Sequence, residues 1–213
     1  MRASRPRYIA VEGPIGAGKS TLAEILATEL QARIIRESPE ENPFLGAFYK
    51  DQKRHAMSAQ LFFLLQRYGQ QGELAQGDLF SRGGVVSDYL FAKDRLFASL
   101  TLSPDEMIIY DKVYAALGPR AVVPDLIIYL QARTEVLLER IQKRGFPPEK
   151  PIKPEYVRDV AAAYAQFFFN YNEAPLLIVN ASDIDFVSNE EDRKALLDEV
   201  RRPHVGISHW SRT

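Results

Sequence analysis

The stretch Gly13-Pro14-Ile15-Gly16-Ala17-Gly18-Lys19-Ser20 fits the pattern G-x-x-x-x-G-K-[ST] without a gap. This octapeptide works only where a strand ends and a helix begins. Its glycines let successive backbone N–H groups converge on phosphate oxygens, and the helix N-terminus adds positive potential. Both flanks are present. Tyr8-Ile9-Ala10-Val11 reads as a buried strand, and Leu22, Ile25, Leu26 and Leu30 recur at helical spacing after Lys19. Gly13, Gly16, Ala17, Gly18, Lys19, Ser20 and Thr21 are therefore expected to cradle a nucleoside triphosphate, with Lys19 on its β/γ-phosphates and Ser20 on Mg²⁺.

The rest of the chain repeats the same alternation. Ala32 to Ile35, Gly84 to Ser87, Leu126 to Leu130 and Leu176 to Val179 are short, unbroken apolar runs rich in branched residues, as in a parallel sheet covered on both faces. Helical stripes separate them: Val136, Leu137 and Ile141; then Val157, Val160, Ala161, Tyr164 and Phe168; then Ala195, Leu196 and Val200. The expected fold is α/β, a doubly wound five-stranded parallel sheet flanked by helices, of the P-loop nucleoside/nucleotide kinase type. No repeat or long polar linker divides residues 1–213, which read as a single domain. Residues 203–213 read as a poorly fixed tail.

Composition narrows the function. Lys+Arg number 27 against Asp+Glu 28, so no basic excess points to nucleic acid or an anionic membrane. There is no cysteine and only three histidines, which leaves no thiolate or histidine metal cluster. No apolar run approaches the ~20 residues of a membrane helix, and no signal-peptide core precedes Tyr8, so a cytoplasmic protein is expected. A GTPase's Asn-Lys-x-Asp is missing, and a motor ATPase is usually larger. A small chain with four prolines between Phe146 and Pro154 points to a kinase of a small molecule.

Beyond the phosphate motif, Arg36-Glu37-Ser38-Pro39-Glu40-Glu41-Asn42-Pro43, the residues Tyr49, Gln60 and Arg67, Asp88 with Asp94, and Arg140 to Gly145 follow one another in an order and spacing that resembles the P-loop deoxynucleoside kinases. The resemblance covers essentially the whole chain. It implies that Glu37 is the general base for a sugar 5′-hydroxyl, that Tyr49 and Glu149 meet the 3′-hydroxyl, and that Gln60, Arg67 and Asp94 read the base. It also implies Mg²⁺ at Ser20 and Asp88, a lid over residues 140–152 carrying Arg140 and Arg144 as catalytic cations beside Lys19, and a grip on the donor adenine near Asp183 and Phe186. Where the family usually has Glu-Arg-Ser, this chain has Asp88-Tyr89-Leu90, so the cation beside Glu37 must come from elsewhere; Arg36 and Arg95 are nearest in sequence. Phe146 stands where a further lid arginine is common, and Arg133 or Lys143 could supply that charge. The implied reaction is ATP-dependent phosphorylation of a purine deoxynucleoside or deoxycytidine, thymidine being disfavoured, by a homodimer joined near Leu61 to Leu65. Two other readings stand beside it: a thymidylate-kinase-like monophosphate kinase, and a non-catalytic sensor of nucleotides.

Overall fold

Successive residues of a strand point to opposite faces of its sheet, and here both faces are covered. In β1 (Tyr8–Glu12), Ile9 and Val11 enter one core while Tyr8 and Ala10 enter another. In β4 (Leu126–Gln131), Leu126, Ile128 and Leu130 separate in the same way from Ile127 and Tyr129. That division is why these segments read as unbroken apolar runs. The computed structural model describes residues 8–75, 84–117 and 121–212.

The remaining strands are β2 (Arg33–Ile35), β3 (Val85–Ser87), β5 (Leu176–Asn180) and β6 (Ile207–Trp210). All pairings are parallel, in the order β2-β3-β1-β4-β5-β6. The first core packs α1 (Lys19–Leu30), α6 (Thr134–Arg144) and α8 (Glu190–Val200) on one face. The second packs α2 (Leu45–Lys50), α3 (Gln52–Ala75) and most of α7 (Pro154–Phe169) on the other. A smaller cluster joins α3 to α4 (Lys93–Thr101) and α5 (Pro104–Leu117) through Leu64, Ala98 and Tyr110. β3 and β4 flank β1 on opposite sides, so the chain reverses its direction of winding there. The crevice at the C-terminal ends of these strands is where such sheets bind ligands.

Two expectations change. The sheet has six strands rather than five, and the sixth lies in the segment read as a loose tail. Gly206 turns the chain at φ 63°, Leu176 N donates to Gly206 O at 2.8 Å, and Trp210 packs against the first core. Arg212 then reaches Glu191 at 3.0 Å and also pairs with Asp192 on α8.

Candidate active site

The phosphate cradle follows β1. Gly16 and Gly18 adopt φ 84° and 97°, a region that side chains oppose. The loop has no room to spare: a Cβ on Gly16 would lie 2.7 Å from Leu137 O, and one on Gly18 would lie 3.1 Å from the Phe186 ring. Ala17 is fully buried, and Thr21 is half-buried in the first turn of α1. Lys19 Nζ donates to Gly13 O at 2.9 Å and Pro14 O at 3.2 Å. Burial, with the charge of Lys93 behind it, pulls the Lys19 ammonium below the ordinary lysine range. An ammonium held only by loop carbonyls is free of any direct carboxylate partner among the described ion pairs and could exchange those carbonyls for anionic oxygens.

Two carboxylates face the cradle from neighbouring strands. Asp88, just beyond β3, accepts from Ser20 Oγ at 2.6 Å through Oδ2 and from Glu37 N at 2.6 Å through Oδ1. Glu37, just beyond β2, points its own carboxylate inward. Oε1 pairs with Arg67 Nη2, and Oε2 lies 3.3 Å from Lys93 Nζ. Burial alone would raise the Glu37 carboxyl. Arg67, Lys93 and Lys19 outweigh it and, with the hydrogen bond from Arg67, hold the group well below the usual carboxylate range.

One cavity joins Lys19, Ser20, Glu37 and Asp88 to Tyr49, Gln60, Arg67, Arg144 and Glu149. On its far wall Arg67 Nη1 pairs with the fully buried Asp94, and the guanidinium carbon lies 5.1 Å from the Phe63 ring centre. Gln60 Nε2 donates to Thr101 Oγ1 at 3.1 Å, while that hydroxyl donates to Phe97 O at 2.8 Å. The Gln60 amide is thereby turned one way, because a hydroxyl already donating to a carbonyl can only accept from it. Burial raises the Tyr49 hydroxyl well above its ordinary value, with Tyr156 and Glu149 adding to it, so it stays a neutral donor. Arg144, at the end of α6, grips Glu149 in the 3-10 turn Pro147–Glu149 at 2.6 and 2.5 Å.

The expected site residues therefore converge, with exceptions that carry information. Arg140 donates to Ala181 O at 2.9 Å and Ala17 O at 3.4 Å, bracing the cradle against the loop after β5. Phe186 is buried beneath Gly18, and Asp183 is exposed beside Arg133 at 2.9 Å, so any hold on a donor base falls to that loop's backbone. Arg36 and Arg95 are not the cations beside Glu37: they bind Glu24 at 3.0 Å and Asp111 at 2.9 Å on the surface. Arg133 is likewise occupied at Asp183. The missed residue is Lys93, 2% exposed. Its one signal was position: it lies four residues before Phe97, which shares the cavity wall, so both occupy the inner face of α4.

The family model described as deoxynucleoside kinase matches residues 9–205. The chain belongs to the deoxynucleoside kinase family. Among its relatives are a deoxyguanosine kinase of Bacillus subtilis, 36% identical over 91% of this chain and 96% of the relative, and a deoxyadenosine kinase of Lactobacillus acidophilus, 32% identical over 91% and 94%. A solved deoxyadenosine kinase of M. mycoides, described with dCMP and a flexible dCDP bound, superposes with a TM-score of 0.79 at 25% identity, covering 91% of this chain and 98% of that one. This kinase thus phosphorylates a deoxynucleoside, a function in nucleotide salvage. The readings as a monophosphate kinase or a silent sensor fall away. Among the described residues, no helix is long and apolar enough to cross a membrane.

Proposed function

We propose that this kinase transfers the terminal phosphoryl group of ATP to the 5′-hydroxyl of a purine deoxynucleoside or deoxycytidine, with Glu37 as the proton acceptor. The supporting observation is the cavity in which Glu37 faces the phosphate cradle on one side and Arg67, backed by the buried Asp94, on the other. A base seated on that wall brings its own sugar hydroxyl toward Glu37. A carboxylate within hydrogen-bond reach takes the proton as the oxygen attacks phosphorus.

Lys19 supplies positive charge to the transferring phosphoryl group from the cradle, and Arg144 supplies it from the lid, residues 140–152. Arg140 keeps cradle and lid in register, and closure excludes water. Tyr49 and Glu149 receive the sugar's 3′-hydroxyl. Ser20 Oγ and Asp88 Oδ2, 2.6 Å apart, are hard oxygen donors that would hold Mg²⁺. When bound, Mg²⁺ neutralises charge on the phosphate oxygens.

Asp94 accepts from an exocyclic amine, and Arg67 and Gln60 donate to ring nitrogens or carbonyls. Thymine offers no such amine and is the disfavoured base. The relatives that act on deoxyguanosine and deoxyadenosine support the purine assignment. Leu65 on α3 and Ile108 and Ile109 on α5 are more than half exposed, and a homodimer in the cytoplasm is the assembly we expect these side chains to join. Initial rates with four deoxynucleosides, for wild type and Glu37→Gln, test the reading. Thymidine should be slowest, and the variant should lose about 100-fold in kcat with nucleoside KM nearly unchanged, the scale of a general base. Equal turnover by Glu37→Gln, or thymidine as the preferred acceptor, overturns it.

A further inference from the structure

Lys93 Nζ lies 3.3 Å from Glu12 Oε1 and 3.3 Å from Glu37 Oε2. Burying an ammonium between two carboxylates costs desolvation free energy that apolar side chains of equal volume would spare, so packing does not account for it. Its two partners differ in how firmly they are held. Glu12 is fully buried in β1, where Oε2 accepts from Gly13 N at 3.1 Å and from the Tyr164 hydroxyl at 2.9 Å, while Oε1 accepts from Leu90 N. Glu37 follows a strand of three residues and is fixed by its backbone bond to Asp88 and by two cations. One of those cations, Arg67, also serves Asp94 on the base-reading wall, so an arriving nucleoside competes for it. Lys93 faces no such competition, because its second partner is the anchored Glu12.

We propose that Lys93 is a positioning residue for phosphoryl transfer, holding the Glu37 carboxylate in place by tying it to Glu12 at the root of the phosphate cradle. The inference rests on Glu37 being the proton acceptor. Lys93 need not touch either substrate; it acts through Glu37. The groups that share the space around Glu37 are Lys19 from α1, Arg67 from α3 and Asp88 beyond β3; Lys19 and Arg67 feel the charge of Glu12 as well, but among the described ion pairs only Lys93 contacts both carboxylates.

A double-mutant cycle tests this. Rates and calorimetric nucleoside binding are measured for wild type, Lys93→Met, Glu37→Gln and the double variant. Lys93→Met should lower kcat roughly 30-fold or more while nucleoside Kd stays within about threefold. In the Glu37→Gln background the same change should cost less than about threefold, since a residue acting through Glu37 has nothing left to act on. Lys93→Arg, which keeps the charge, should recover most of kcat. Equal losses in both backgrounds, or Lys93→Arg no better than Lys93→Gln, overturn the proposal. If Lys93→Met is unfolded by circular dichroism, Lys93→Gln, a neutral donor between the carboxylates, runs the same cycle with the same readings. If Glu37→Gln alone turns over like wild type, the acceptor assignment fails and this proposal goes with it, an outcome separate from additivity.

Discussion

In the proposed mechanism Glu37 accepts a proton while three cations hold it ionised. A group depressed in this way is charged in the folded protein at every pH above its lowered value. Its contribution to stability is complete above the unfolded carboxyl value and fades as pH falls through the folded one. Protonation of Glu37 therefore should not limit kcat anywhere above about pH 5, given an unfolded glutamate near 4.3. A pH–rate profile compared with denaturation midpoints from about pH 3 to 8 checks both statements. At the other end of the cavity, Asp94→Asn leaves Arg67 short of a buried partner. It should cost about 2 kcal/mol or more of stability in urea unfolding, besides weakening nucleoside binding. The roles proposed for Glu37, Arg67 and Asp94 rest on the resemblance to the deoxynucleoside kinases, while the apolar pattern located only the strand ends and helices that carry them. Neither singled out Lys93. In a helix beginning Lys93-Asp94-Arg95 one residue is deeply buried with a positive charge, one with a negative charge and one is exposed, and only the packing of α4 tells them apart.

At the scale of elements, the cradle is a loop with no spare volume. Gly16 needs both its left-handed backbone and the absence of a Cβ, since that atom would strike a main-chain carbonyl that cannot move aside. Gly16→Ala should raise the KM for ATP by roughly tenfold or more and lower the melting temperature. Nucleoside binding, measured without ATP, should change little, because its wall is built on α3 and α4. β1, β3, β4 and β5 were visible as runs of branched apolar residues because their faces are largely buried, and the edge strand β2 through its Ile34-Ile35 pair. β6 was not visible for the opposite reason. It is an edge strand whose residues alternate between exposed and half-buried, so Ile207-Ser208-His209-Trp210 carries no apolar run to detect. Its parallel pairing to β5 depends on a crossover that α8 supplies and on Gly206, neither of which leaves a mark in local periodicity.

For the molecule as a whole, β6 offers a direct measurement. Trp210 is the only tryptophan in the chain, and it sits on the outermost strand against the first core. If the edge strand is part of the cooperative unit, the shift in tryptophan emission and the loss of helical circular dichroism should share one urea midpoint. An earlier emission change would mean that the edge frays first. Trp210→Ala should lower stability by about 2 kcal/mol, less than for a fully buried tryptophan because the ring is only partly covered. The proposed homodimer is tested on the same material: light scattering should give twice 24.2 kDa, and Ile108→Glu should halve that mass.

The two covered faces of the sheet also divide the labour. In the proposed function the helices that meet the nucleoside pack mainly on one face, and those beside the phosphate cradle on the other. A library of variants in α2, α3 and α4 that spares Arg67 and Lys93 should therefore exchange one acceptor for another while leaving the phosphate cradle intact, so new acceptor ranges can be selected without re-evolving the use of ATP.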